Sequence, residues 1–179
     1  MKKNIFTIIG SASQNSANSM LVDNFVKMMQ DDFDFKIFNE LKMLPHFDPE
    51  LSIDDNPPAI ITEFRDNISK ADGVLICTPE YVFSIPSGLK NAIEWCVSTT
   101  VFSNKPIGLI TASASGQKGH EELQLIMKTV MAKFTAETTL LIQGIRGKID
   151  GDGEITDSQT KDEVERFISS YKSLVQGHG

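Results

Sequence analysis

The chain has 179 residues, a net charge of −7 and a pI near 4.9, with 40% hydrophobic and 23% charged residues. That suffices for one domain with a substantial core, spanning 1–179, and the acidic balance disfavours nucleic acid and anionic membranes as partners. No apolar run approaches the roughly 18 residues of a membrane span, Ile5–Ile9 is too short for a signal-peptide core, and Cys77 and Cys96, isolated in apolar segments, suit a cytoplasmic protein.

The chain opens on an apolar strand, Asn4–Gly10, followed by a polar loop and a helix over about Ser16–Gln30, with Leu21, Phe25, Met28 and Met29 on one face. A second strand, Phe35–Asn39, leads into a long connection over Met43–Ala59 that holds four prolines. Pro58 can open the next helix, Ala59–Lys70, which turns Ile61, Phe64 and Ile68 inward. The third strand, Gly73–Thr78, is apolar almost throughout, as a strand covered on both faces should be. A helix over about Pro86–Val97, a strand Lys105–Ser113 and a helix over about Gly119–Phe134 follow. Strand five is Thr138–Gln143, and a last helix, about Ser158–Val175, carries Val164, Phe167, Ile168, Tyr171 and Leu174 on its inner stripe.

Five strands alternating with five helices predict an α/β fold, a doubly wound parallel sheet with helices on both faces. The order 2-1-3-4-5 puts a switch point between strands one and three, where ligands bind at the carboxyl ends. Three loops converge there: Ser11–Ser19, Thr78–Ser84 and Ser113–Gly119.

The first loop offers the hydroxyls of Ser11, Ser13 and Ser16, the amide of Asn18 and the free N–H groups of the helix start. It carries no Lys or Arg, so an anion there is held mainly by neutral donors. Ser16 as a simple helix cap explains this loop as well as phosphate binding does. The spacing is neither GxGxxG nor GxxxxGK[ST], so dinucleotide-fold and Walker sites are absent. The histidines are scattered and form no metal cluster. Asp150–Glu154 fails as a calcium loop, because its register would put Lys148 first and Gln159 twelfth; it reads as a tight turn before a helix capped by Asp157 or Ser158.

The second loop and its helix, Thr78-Pro79-Glu80-Tyr81-Val82-Phe83-Ser84-Ile85-Pro86 through Leu89-Lys90-Asn91-Ala92-Ile93-Glu94-Trp95, are more distinctive. Core packing explains Leu89, Ile93 and Trp95. It does not explain Pro79-Glu80-Tyr81 on a loop, where a stiff backbone and bulky side chains suit the edge of a flat heterocycle. The stretch resembles the TPEYxxSIPxxLKNAIDW signature of the NADPH-dependent FMN reductase family. Ser11–Asn18 resembles that family's GSxxxxSxN loop, and Ala112–Gly119 its third, Gly-containing loop.

The resemblance implies a flavodoxin-like fold that binds FMN. The phosphate would lie on Ser11, Ser13, Ser16, Ala17 and Asn18. The ring would lie against Pro79, Glu80, Tyr81, Val82 and Phe83, largely through backbone groups, with Ser113 and Gly116 on its other side. The chain departs from the family pattern at Ser13, where Arg is common, at Val82, where Asn is common, and at Glu94, where Asp is usual. The implied activity passes two electrons from NADPH or NADH through bound flavin to a quinone, azo compound, metal oxyanion or free flavin. No side chain need act as acid or base, and the family's usual state is a homodimer or homotetramer. A flavodoxin-type electron carrier that does not oxidise NAD(P)H is the alternative.

Overall fold

The computed structural model describes residues 1–13, 15–53, 57–151 and 153–177; Gln14 of the first loop, Asp152 and His178 lie outside them. At its centre is β3 (Gly73–Thr78), whose six residues are all buried, as its apolar run requires. It pairs in parallel with β1 (Lys3–Ile9) on one side and β4 (Ile107–Ser113) on the other. Beyond these lie β2 (Phe33–Phe38) next to β1 and β5 (Thr139–Gln143) next to β4, both parallel, giving the order β2-β1-β3-β4-β5. Ile9 sits opposite Cys77, and Thr78 opposite Thr111, so β1, β3 and β4 end at one common edge.

Side-chain alternation along the strands divides the core in two. Ile5 and Ile9 face α1 (Ala17–Met29) and α6 (Ser158–Gln176), whose Leu21, Phe25, Val164 and Phe167 complete one cluster. Phe6 and Ile8 face the other way, toward α3 (Ala59–Lys70), α4 (Ser87–Glu94) and α5 (Gln117–Thr129). Each fully buried Leu, Ile or Phe contributes about 1.5–3 kcal/mol of transfer free energy. The result is the doubly wound sandwich that the alternation of elements predicts, and the flavodoxin-like fold that the resemblance implies.

Several elements differ from the sequence expectations for local reasons. The long connection holds a 3-10 turn, Leu41–Met43, and the short α2 (Pro49–Ile53), whose start is capped by the Asp48 carboxylate through the Glu50 N–H at 2.9 Å. Met28 is exposed, while Val22 takes a place on the inner face of α1. α5 ends at Thr129 rather than Phe134. Met131 adopts a φ of +58°, and Lys133 leaves the helix to bond Lys105 and Ile107, which carries the chain alongside β4. α4 is shorter than expected, and Trp95 just beyond it is fully buried. Its indole N–H donates to the Pro45 carbonyl at 2.8 Å, and its ring packs edge-on against Phe47. Asn91 holds the same segment twice, donating to the Pro45 carbonyl and accepting from the Phe47 N–H.

Candidate functional site

The first loop leaves the sheet at Gly10, whose N–H donates to the Cys77 carbonyl at 2.8 Å. A Cβ there would lie 2.3 Å from Thr78 Oγ1, so only glycine lets the loops after β1 and β3 pass this close. Ser11 Oγ accepts from the Ser13 N–H at 3.2 Å and lies 3.4 Å from the Tyr81 hydroxyl, which joins the first loop to the second. Ser16 is the N-cap of α1: its Oγ accepts from the Ser19 N–H at 3.1 Å. The N–H groups of Ala17 and Asn18, at the first two helical positions, have no acceptor within the helix. The Asn18 side chain is not a free donor pointing at a ligand. It is buried, its amide donates to the Ala112 carbonyl at 3.1 Å, and its oxygen accepts from the Cys77 thiol at 3.3 Å. Asn18 therefore ties the first turn of α1 to the ends of β3 and β4.

The second loop is a tight two-residue turn. Tyr81 and Ser84 exchange backbone hydrogen bonds of 2.9 and 3.0 Å, and Val82 and Phe83 between them both have positive φ, +53° and +58°. That backbone matches the primed hairpin turns that glycine and asparagine favour, and it is strained for a β-branched valine. It throws both side chains outward, with Val82 95% and Phe83 75% exposed.

Two carboxylates stitch this loop to α5. Glu80 accepts from the Gly116 N–H at 3.2 Å and the Gly119 N–H at 2.8 Å, and its carbonyl lies 3.5 Å from Ser113 Oγ. Gly116, with φ +87°, is the N-cap of α5 and has no side chain to cap with, so Glu80 supplies the cap from another loop. In return, Glu122 of α5 accepts from the Ser84 hydroxyl at 2.6 Å and the Ile85 N–H at 3.0 Å. Glu122 has no signature in the sequence that marks it as part of this site.

Between the loops lies a cleft of about 710 Å³. Ser11, Ser13, Ser16, Ala17 and Asn18 line it on one side, Pro79, Glu80 and Tyr81 on another, and Ser113 on a third. Val82, Phe83 and Gly116 do not line it: the first two stand in solvent, and Gly116 is turned to Glu80. Of the bulky side chains expected to wall the cleft, Tyr81 alone does so. The fourth wall comes from the segment after β5, through Gly144, Ile145, Arg146, Ile149 and Asp150, which sequence reasoning left out of the site. A smaller cavity of about 340 Å³ shares Ser11 and Tyr81 with the cleft and is floored by Leu41, Leu44 and Pro86. Burial pushes the Cys77 thiol up and the Cys96 thiol up to about 12, so neither offers a thiolate near neutral pH.

This arrangement presents backbone donors, hydroxyls and a helix start at the carboxyl edge of a parallel sheet. The chain is 27% identical to a quinone reductase of Escherichia coli (strain K12) over 182 residues, covering 98% of this chain and 96% of that protein. It is 28% identical to a 2-hydroxy-1,4-benzoquinone reductase of a Burkholderia species, covering 98% of each. A flavoenzyme NAD(P)H:(acceptor) oxidoreductase from Paracoccus denitrificans shares the fold, with a TM-score of 0.83 at 24% identity over 99% of both chains. Residues 3–144 match the family described as NADPH-dependent FMN reductase, and the chain belongs to that family.

Proposed function

We propose that this protein binds FMN in the 710 Å³ cleft and is an NAD(P)H-dependent reductase of a small planar or oxyanionic acceptor, a quinone, azo compound, metal oxyanion or free flavin. The observation that carries this reading is the convergence of the first, second and third loops on one cleft at the carboxyl edge of β1, β3 and β4. FMN, when bound, supplies hydride acceptance from the nicotinamide and electron release to the acceptor. The rest of the task is binding and orientation. The Ala17 and Asn18 N–H groups and the Ser11, Ser13 and Ser16 hydroxyls would take the phosphate. Pro79, Glu80 and Tyr81, with Ser113 opposite, would border the ring. The Glu80 and Glu122 clamps keep those borders at a fixed spacing. Apolar space beside Tyr81 leaves room for a second flat molecule. No side chain is assigned a proton transfer.

Among the described residues no helix is long and apolar enough to cross a membrane, and both cysteines are unpaired, which fits work in the cytoplasm. The exposed Val82 and Phe83 are apolar area available to a second copy, in keeping with a homodimer or homotetramer. The test is a visible spectrum of the purified protein with added FMN, followed by NADPH and a quinone under steady-state conditions. Flavin absorption with NADPH-dependent quinone reduction is expected. Failure to take up FMN refutes the reading, and FMN uptake without NADPH oxidation replaces it with an electron carrier.

A further inference from the structure

The first loop offers no cation, yet a phosphate monoester carries between one and two negative charges near neutral pH. The start of α1 contributes about half a positive charge, and serine hydroxyls contribute none. One Arg or Lys does line the cleft, and it comes from the far end of the chain: Arg146. Its turn is firmly seated. Ile145 is buried, the Gly144 N–H donates to the Ala114 carbonyl at 3.1 Å, and the Gly147 N–H closes the turn on the Gly144 carbonyl at 2.9 Å. Gly144 has a φ of +65°, the conformation that starts this turn. Among the described residues the Arg146 guanidinium has no ion-pair or hydrogen-bond partner. Of the two carboxylates on the cleft, Glu80 is engaged by the start of α5, and Asp150 accepts from the Glu154 N–H.

Resting on the FMN reading above, we propose that Arg146 is the phosphate counter-ion of the cleft, closing over the phosphate opposite the start of α1. An arginine suits this task because its planar fork makes two parallel hydrogen bonds to phosphate oxygens. The anchored turn keeps Arg146 at the cleft wall, and its guanidinium can turn to the phosphate without breaking a contact with any described residue.

The experiment titrates wild type, Arg146→Gln, Arg146→Lys and Lys148→Gln with FMN and, separately, with riboflavin, which has the same ring and no phosphate. Arg146→Gln is expected to weaken FMN binding by roughly ten- to a hundredfold, leave riboflavin binding unchanged, and flatten the salt dependence of FMN binding. Arg146→Lys should fall between wild type and Arg146→Gln. Lys148→Gln, whose residue does not line the cleft, should bind both flavins like wild type. Unchanged FMN affinity in Arg146→Gln, or an equal loss for both flavins, overturns the proposal. Wild type that binds neither flavin instead overturns the FMN reading on which it rests.

Discussion

Replacing Glu80 by Ala tests whether the second and third loops are held by one carboxylate. The N-cap N–H of Gly116 and the first-turn N–H of Gly119 end on it, at 3.2 and 2.8 Å, and α5 has no side-chain cap of its own because its N-cap is a glycine. Loss of a side-chain cap costs about 1 kcal/mol. Removing a negative charge from a helix start costs roughly 0.3–1 kcal/mol more. Glu80 is half-buried, so water only partly replaces the lost bonds. The sum is about 2 kcal/mol. Urea unfolding followed by circular dichroism reads this directly: with a slope of about 2 kcal/mol/M, the midpoint should fall by roughly 1 M. Glu80→Gln keeps one acceptor oxygen but turns an amide N–H₂ toward a backbone donor, so its midpoint should lie between. If Glu80→Ala unfolds at the wild-type midpoint, the carboxylate does not hold the loops in solution, and its role in setting the cleft spacing is refuted.

Ser16→Ala should lose about 1 kcal/mol, the cost of a helix cap. Asn18→Ala should lose about 1–3 kcal/mol, because the buried Ala112 carbonyl loses its donor; a larger loss in Ser16→Ala than in Asn18→Ala would contradict the buried contacts. Val82→Gly should raise stability by about 1 kcal/mol by releasing a positive φ of 53° on an exposed, β-branched residue; a lower melting temperature would show that the strained turn is not the solution conformation. His120 is buried, with Nδ1 2.9 Å from Thr111 Oγ1, and burial holds its pKa below the usual value despite the neighbouring Glu121. Between that lowered value and about 6.5 the unfolded chain binds more protons than the folded one, so stability should fall as pH drops below about 6.5. His120→Gln should flatten that part of the stability–pH curve, and an unchanged curve would refute a neutral, buried His120.

The outline of the fold was legible because its signals are local. Gly73–Thr78 reads as a doubly covered strand from its own apolar run, and the spacing of Ile61, Phe64 and Ile68 marks one face of a helix wherever that helix packs. Gly10, Ser16 and Asp157 stand at a strand exit and at helix starts, where residue type and short-range geometry agree. Errors came where tertiary pairing overrode periodicity, as at Met131–Phe134, which left the helix to bond beside β4.

The candidate site was legible in part. Ser11–Asn18 and Pro79–Tyr81 were marked by their composition at the carboxyl ends of predicted strands, but the use of each side chain was not. Asn18 reads as a ligand donor in a polar loop, yet its partners are Ala112, 94 residues away, and Cys77. Glu80 reads as a cleft residue and turns out to cap a helix that starts 37 residues later, while Glu122 answers it across a similar distance. Sequence alone determined the five strands and the five longer helices in their order, because backbone propensity and hydrophobic period act over a few residues. Tertiary structure alone decided where charge meets the cleft. Arg146 lies far along the chain from Ser13, and only the parallel sheet, by bringing the turn after β5 beside the start of α1, sets a cation opposite a loop that has none.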